Sequence, residues 1–594
     1  MHEYRSHLSN ELTPLVGESV RIAGWVHTVR DHGGVVFVDV RDRTGVTQVV
    51  VQPEDGDVYT AATSLSKEST VSVDGSVRNR LPGTENPALP SGTIEVAATS
   101  ITVLGPAKEL PFDPHAAGGV KEDLRLRYRF LDLRSERLQR NLRTRMSIID
   151  TIRREMKGLG FLEVQTPILT SSSPEGARDY IVPSRRYPGR FYALPQAPQQ
   201  FKQLLMTSGV ERYFQIAPCF RDEDGRADRS PGEFYQLDLE LAFATQEDVF
   251  AVVEHVFDAV WASHSDRPRT PVPFPRLTYA EAMLKYGSDK PDLRNPLVIS
   301  DLTDVFASSG FKAFAGRTVR AIRIPGGASQ GRKWFDRLDE YARGVGAAGL
   351  AFLKFEEGGA VSGSIANPTS DEDKAGVRAG AGVEDGDAVV FVAADKEETA
   401  ARLAGFVRAE LGTLLDLVHD DEFIFCWIVD FPMYEWNDEL GQWDFSHNPF
   451  SMPQGGSAAL DTDDLGSIKA FQYDVVCNGY ELSSGAVRNH DPELMLKAFA
   501  LAGYGPEVVE SKFPALYNAF QYGAPPHAGI APGIDRIVML LTDEKLIRDV
   551  GAFPMTVGGR DLLMDAPNEV TLHQLRELHI RLAGDAVKDE KPAQ

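Results

Sequence analysis

Several short stretches of this chain hold side chains whose types and spacing could do chemistry. Phe220-Arg221-Asp222-Glu223-Asp224 sets one guanidinium beside three carboxylates. Such a cation is either part of a solvated ion-pair network or a held anion-binding group. Gly533-Ile534-Asp535-Arg536 runs into the apolar segment Ile537–Leu541, which puts a second arginine in the first turn of a helix. Gln199 and Lys202, three residues apart, share one face near the start of a predicted helix. Asp474 and Glu481 lie near the two ends of a predicted strand, Asp474–Leu482, that continues through Ser483-Ser484-Gly485 to Arg488. The small-residue loop Ser171–Tyr180 carries Glu175 and Arg178, an acid and a base that either close over a ligand or are merely solvated.

These residues need elements to hold them. Phe234–Glu240 alternates apolar and polar residues, so Arg221 closes one strand of a strand–loop–strand unit and Phe234–Glu240 is its return. From Ser135 to Lys157 the residues Leu138, Leu142, Met146, Ile149, Ile152 and Met156 recur three or four apart, an amphipathic helix ended by Gly158 and Gly160. Phe161–Leu169 then reads as a strand, with Pro167 confining it to an edge. Gln246–His264 is a second long amphipathic helix, and His447-Asn448-Pro449 sits in a loop. Near the start, five short strands (Arg21–Val26, Val35–Arg41, Thr47–Val51, Thr70–Val77 and Thr93–Leu104) suit a small OB-fold barrel. On its paired strands Phe37 and Gln48 either stack on and bond to bases or serve as core and solvated residues.

The chain has 594 residues, 42% of them hydrophobic, and a formal net charge of −24. That length calls for several domains. The charge argues against a general nucleic-acid coat, while leaving room for one folded RNA held by local basic patches. MHEYRSHLSN has no apolar run, and no stretch reaches membrane-spanning length, so the expectation is a cytoplasmic protein with no membrane association. Cys219, Cys426 and Cys477 are far apart and support neither a zinc site nor a disulfide framework. The segment from about 287 to 420 is rich in Gly, Ala and acids and reads as an insertion whose acids are solvated.

The long helix with its proline-edged strand, the Phe220-Arg221-Asp222-Glu223 unit and Gly533-Ile534-Asp535-Arg536 resemble the three motifs of class II aminoacyl-tRNA synthetases. SPEGARDY at 173–180, Gln196–Lys202 and YGSDKPDLR at 286–294 are similar to the bacterial aspartyl-tRNA synthetases, over roughly residues 5 to 570. The resemblance implies an α+β multidomain fold. An OB-fold anticodon-binding domain would span 1–105, with a hinge at 106–134. A catalytic domain on an antiparallel sheet would be split between 135–286 and 421–580, with an inserted α+β GAD-like domain at 287–420 and a flexible tail at 581–594.

It also implies a two-step reaction: L-aspartate and ATP give aspartyl-adenylate, and the aspartyl group then passes to tRNA. Arg221 and Arg536 would be catalytic. Glu175, Gln199, Lys202, Arg221, Asp238, His447 and Arg488 would bind aspartate. Arg221, Asp222, Glu223, Glu481, Gly533, Ile534, Asp535 and Arg536 would bind ATP, with Phe220 or a neighbouring aromatic on adenine. Asp474 and Glu481 would carry Mg²⁺, and Phe37, Gln48 and Glu95 would read the anticodon. His32 and Gly83 resemble the non-discriminating members, which charge both tRNA(Asp) and tRNA(Asn) and rely on an amidotransferase; the alternative is strict tRNA(Asp) specificity. A homodimer is implied. An asparagine- or lysine-specific enzyme on the same scaffold, and an inactive RNA-binding paralogue, are the remaining rivals. The chain departs from many relatives in having a single histidine at 447 and a longer loop at Asp228–Glu233.

Overall fold

The computed structural model describes residues 3–583 except 173–175, 308, 310 and 312. The chain divides into two compact units, Met1–Val120 and Lys121–Gln594. The first is a closed five-stranded barrel. Its strands β1 (Ser19–His32), β2 (Val35–Arg41), β3 (Val46–Val51), β4 (Thr70–Asn79) and β5 (Ile94–Gly105) close in the order β1-β2-β3-β5-β4. Alternate valines and isoleucines, among them Val36, Val38, Val40, Val71 and Val73, fill the interior. Within this unit His27, Glu68 and His115 bring ligand-type atoms within 4.8 Å of one another. Arg41 donates to Glu68 Oε1 at 2.8 Å and also contacts both imidazoles, so a fixed positive charge already stands where a metal ion would.

The second unit is built on an eight-stranded sheet. Its strands are β6 (Leu162–Glu163), β7 (Arg212–Arg221), β8 (Gly232–Ala242), β9 (Arg276–Thr278), β10 (Phe425–Val429), β11 (Gln472–Cys477), β12 (Tyr480–Val487) and β13 (His527–Ile530). They lie in the order β9-β10-β11-β12-β13-β8-β7-β6. The six central strands are antiparallel, and the short strand at each edge is parallel to its neighbour. Helices α1 (Glu136–Gly158) and α3 (Gln246–His264) share one apolar core with the sheet, where Ile148, Ile152, Val253 and Phe257 meet Leu237, Leu239, Trp427 and Val475. Ser135 caps α1 by accepting from the Leu138 amide.

The expected stripe on α1 is displaced. Leu138, Ile152 and Met156 are buried, but so are Asn141 and Ile148, while Met146 is exposed. Asn141 takes its place inside by donating to Glu544 and to the Asp549 carbonyl. The strand expected over Phe161–Leu169 shrinks to Leu162–Glu163, because the chain leaves the sheet edge before Pro167. Between Ile299 and Leu414 a separate antiparallel five-stranded sheet carries an apolar core on each face. Its acids are not all solvated. Asp387 is buried and accepts from Arg323 and from the Gly326 and Glu384 amides, and Asp373 is buried against Ser309. No described helix is long and apolar enough to cross a membrane.

The strand expected over Asp474–Leu482 is instead a tight hairpin, β11 to β12. Asn478 and Gly479, both at positive φ (51° and 82°), make the reversal. Its register shifts: Val475 pairs with Ser483 but Val476 pairs with Glu481, so Leu482 is an extra, bulged residue. Gly479→Val adds a β-branched side chain at positive φ, where a Cβ would come 3.2 Å from Asp292 Cβ. The variant should lose about 1–3 kcal/mol in denaturant unfolding, and unchanged stability would contradict this turn.

Candidate active site

A cavity of about 430 Å³ opens on the central strands of the large sheet. Its floor follows from strand alternation on β8. Leu237, Leu239 and Leu241 point into the apolar core, so Gln236, Asp238 and Glu240 belong to the opposite face. Helix α2 (Gln199–Thr207) runs over that face and buries Gln199, Lys202 and Gln203. The start of α4 (Ile534–Leu541), the β7–β8 loop and residues 447–450 complete the walls.

Deep in the site four charged groups are at most 2% exposed: Lys202, Asp238, Glu240 and Arg488. Lys202 Nζ lies 2.6 Å from Asp238 Oδ1 and 3.3 Å from Glu240 Oε2. Arg488 donates through Nε to Glu240 Oε1 at 2.9 Å and through Nη2 to Oε2 at 3.3 Å. Burial disfavours the Glu240 anion, yet Arg488 and Lys202 outweigh it and hold its pKa below the ordinary value. For Asp238 burial wins and raises the pKa, with Lys202 offsetting only part. Asp238 Oδ2 is buried and meets no hydrogen-bond donor among the described residues.

The outer part of the cavity is cationic. The Arg221 guanidinium lies 5.0 Å from the centre of the Phe234 ring, and its Nε is buried and meets no hydrogen-bond acceptor among the described residues. Arg536 reaches back to the Glu481 carbonyl and to Asp228, at 3.2 Å from its carbonyl and 3.4 Å from Oδ2. Glu223 pairs with Arg229 at 2.8 Å. Glu481 opposes Val476, two residues from Asp474 on β11, so the two carboxylates share one face of the hairpin. Asp474 is buried, and its Oδ1 meets no hydrogen-bond donor among the described residues. Burial first, and then the Glu481 carboxylate, raise its pKa well above the usual range. Burial lowers the His447 pKa, keeping the ring neutral against Phe431 at 5.2 Å between ring centres.

Gln199, Lys202, Arg221, Glu223, Asp238, His447, Glu481, Arg488, Gly533, Asp535 and Arg536 therefore line one cavity, although they come from distant parts of the chain. Asp474 sits beside this lining, behind Glu481. Asp222 is exposed and off the cavity, its amide bonded to the Arg178 carbonyl, and the Ile534 side chain is in the core. Asp535 reaches the cavity wall, but its carboxylate accepts from Arg145 and from the Tyr235 amide at 2.9 Å, so it clamps α4 to α1 and β8. Phe234, Tyr235 and Phe450 line the cavity, and Phe220 does not. Glu175 lies outside the described residues. Glu240 escaped the sequence reading, though its spacing of two from Asp238 and four from Gln236 marks it as sharing their face.

On the barrel, Gln48 donates to Glu95 Oε2 at 2.9 Å, and Arg78 donates to Glu95 Oε1 at 2.9 Å. Half-buried Phe37 meets the His32 ring edge-to-face at 5.8 Å, and Gly83 occupies a turn at φ 86°.

Residues 121–557 match the model of the class II tRNA synthetases (D, K and N), and residues 20–104 match that of the OB-fold nucleic acid binding domain. The chain belongs to the class II aminoacyl-tRNA synthetases. Two curated relatives, from Methylobacterium sp. and Methylorubrum populi, are 57% and 56% identical over 98% of this chain and 99% of their own, and both are named Aspartate--tRNA(Asp/Asn) ligase. The fold is shared with the crystal structure of asparaginyl-tRNA synthetase from Pyrococcus horikoshii complexed with asparaginyl-adenylate (TM-score 0.58, 20% identity, 93% of this chain and 99% of that one). In this synthetase, Arg488→Leu would leave Glu240 buried with half its partners. We expect a loss of about 3–5 kcal/mol in denaturant unfolding, with much of it recovered when Glu240→Met is added. Full stability of the single variant would exclude the pairing.

Proposed function

We propose that this synthetase is an aspartate–tRNA ligase charging both tRNA(Asp) and tRNA(Asn). The observation that carries the amino-acid assignment is the pair of fully buried cations, Lys202 and Arg488, at the closed end of a cavity whose open end holds Arg221 and Arg536. The name borne by the two relatives supports the same reading.

In the first step an oxygen of the aspartate α-carboxylate forms a bond to the α-phosphorus of ATP, and pyrophosphate leaves with the electrons of the broken P–O bond. Two anions must approach, so fixed positive charge is the main catalytic requirement. Arg221, aligned against Phe234, bridges the α-carboxylate and the α-phosphate, Phe234 stacks on adenine, and Arg536 takes the γ-phosphate. The unpartnered buried oxygen of Asp474 and the adjacent Glu481 carboxylate form the hard-oxygen pair that Mg²⁺ prefers. Asp474 and Glu481 would hold the ion, which would supply positive charge against the phosphates. Asp238 Oδ2 and Gln199 receive the α-ammonium, and Glu175 is assigned the same role. Lys202 and Arg488, near the neutral His447, hold the side-chain carboxylate. In the second step a ribose hydroxyl at the 3′ end of tRNA attacks the carbonyl carbon, and AMP leaves.

Asparagine would put a neutral amide against desolvated cations, a mismatch that sites of this kind reject by about 10⁴. The Phe37, Gln48 and Glu95 face of the barrel reads the anticodon, and His32 beside Phe37, with Gly83, relaxes its last position. An amidotransferase would then convert the aspartyl-tRNA(Asn). Leu162, Ile168 and Leu169, exposed at and beyond the β6 edge, support a homodimer.

ATP–pyrophosphate exchange should depend on aspartate and Mg²⁺ and fail with asparagine; equal exchange with both amino acids would refute the pocket. Side by side, tRNA(Asp) and tRNA(Asn) should both accept aspartate at comparable rates, and His32→Leu should depress tRNA(Asn) selectively. A wild-type rate on tRNA(Asn) far below that on tRNA(Asp) would refute the dual specificity.

A further inference from the structure

Behind the cavity wall runs a chain of hydrogen bonds that leads from a backbone carbonyl to Gln199. His527, at the start of β13, and Gln203, on α2, are both fully buried, and neither lines the cavity. His527 Nδ1 lies 2.8 Å from the Pro525 carbonyl oxygen. Gln203 Nε2 lies 3.1 Å from His527 Nε2, and Gln199 Nε2 lies 3.0 Å from Gln203 Oε1. A carbonyl oxygen only accepts, so the ring proton must be on Nδ1, leaving Nε2 with its lone pair. Nε2 then accepts from the Gln203 amide nitrogen, which turns the Gln203 oxygen toward Gln199. That oxygen accepts one N–H of Gln199, which holds the Gln199 nitrogen toward Gln203 and turns its oxygen to the opposite side of the amide. Each link dictates the next, and the direction originates in a peptide group that cannot reverse.

We propose that Gln203 and His527 are positioning residues that fix the polarity of the Gln199 amide, so that an acceptor rather than a donor meets the α-ammonium of the amino-acid substrate. The proposal rests on the reading that Gln199 and Asp238 receive that ammonium. Without the chain the amide turns freely, and in half of its orientations an N–H group faces a cation. The neutral ring this requires is favoured by burial, which lowers the His527 pKa against the nearby Glu240 carboxylate. Arg488 and His490 act in the same direction as burial.

The test separates the amino group from the rest of the ligand. Gln203→Met keeps the length of the side chain and removes its amide, and His527→Phe keeps a ring and removes both nitrogens. In each, KM for aspartate in ATP–pyrophosphate exchange should rise about 10- to 100-fold, the effect of one lost hydrogen bond to a charged group. The maximal rate should change much less. Inhibition by succinate, which has both carboxylates and no amino group, should keep its wild-type constant. Parallel weakening of aspartate and succinate, or an unchanged KM for aspartate, would overturn the proposal. A direct check needs no variant: the ring-nitrogen NMR shifts of His527 in the intact protein should report a proton on Nδ1 and none on Nε2, and the opposite tautomer would also overturn it. Absence of any aspartate-dependent exchange by the wild-type protein would instead refute the ligase reading, independently of the tautomer.

Discussion

Everything in the catalytic unit is arranged around the cost of burying charge. Taking a single ion out of water costs several kcal/mol unless partners replace the solvent, and here Lys202, Asp238, Glu240 and Arg488 are buried together. They arrive on a helix, a central strand and the segment leaving a hairpin, so each cation meets its carboxylate only when its element docks on β8. Even the empty space nearby is constrained. Gly529 lies on the strand paired to β8, and a Cβ there would stand 1.9 Å from Glu240 Oε2. The carboxylate that aligns Arg488 fits because that position has no side chain.

The two ends of the cavity differ in kind. The closed end, where we propose that aspartate binds, is neutralised from within and held by strands and a helix, so its geometry exists before a ligand arrives, as discrimination between a carboxylate and an amide requires. The open end, which we propose takes the phosphates, is built on the β7–β8 loop and the first turn of α4, and its ion pairs, such as Glu223 with Arg229, are partly exposed. Solvent screens those charges, and they can exchange partners when a polyanion binds. Asp474 is the exception at that end. It is a buried acid whose raised pKa shows how poorly the protein alone accommodates its charge, which fits a residue designed to meet a cation from outside.

Much of this was legible in the sequence because it depends on local periodicity. The helix over Gln246–His264, the barrel strands and the Arg221 and Arg536 units came from patterns a few residues long. The failures were of two sorts. Some concerned punctuation: Asn478-Gly479 is a strong turn pair, but the apolar residues on both sides made one continuous strand look natural, and Phe161–Leu169 looked like a strand although only its first residues reach the sheet. Others concerned partners remote in sequence. Glu240 acquires its meaning from Arg488, 248 residues away, and Asp535 reads as a cavity acid until Arg145 and the Tyr235 amide are found holding it. A buried Asn141 in an otherwise apolar stripe has the same origin.

The bulge at Leu482 acts as a parity switch. The turn pairs Cys477 with Tyr480 and Val476 with Glu481, and regular pairing onward would set Ser483 opposite Asp474, whereas the bulge sets Ser484 there. The single extra residue puts Ser484 and Ala486, rather than Ser483 and Gly485, on the face that carries Asp474 and Glu481. What the hairpin transmits is therefore an odd or even count as much as a set of side chains. Over this segment insertions and deletions of one residue, in either strand, should be far rarer among functional sequences than substitutions, and paired indels that preserve the count should be the exception that persists.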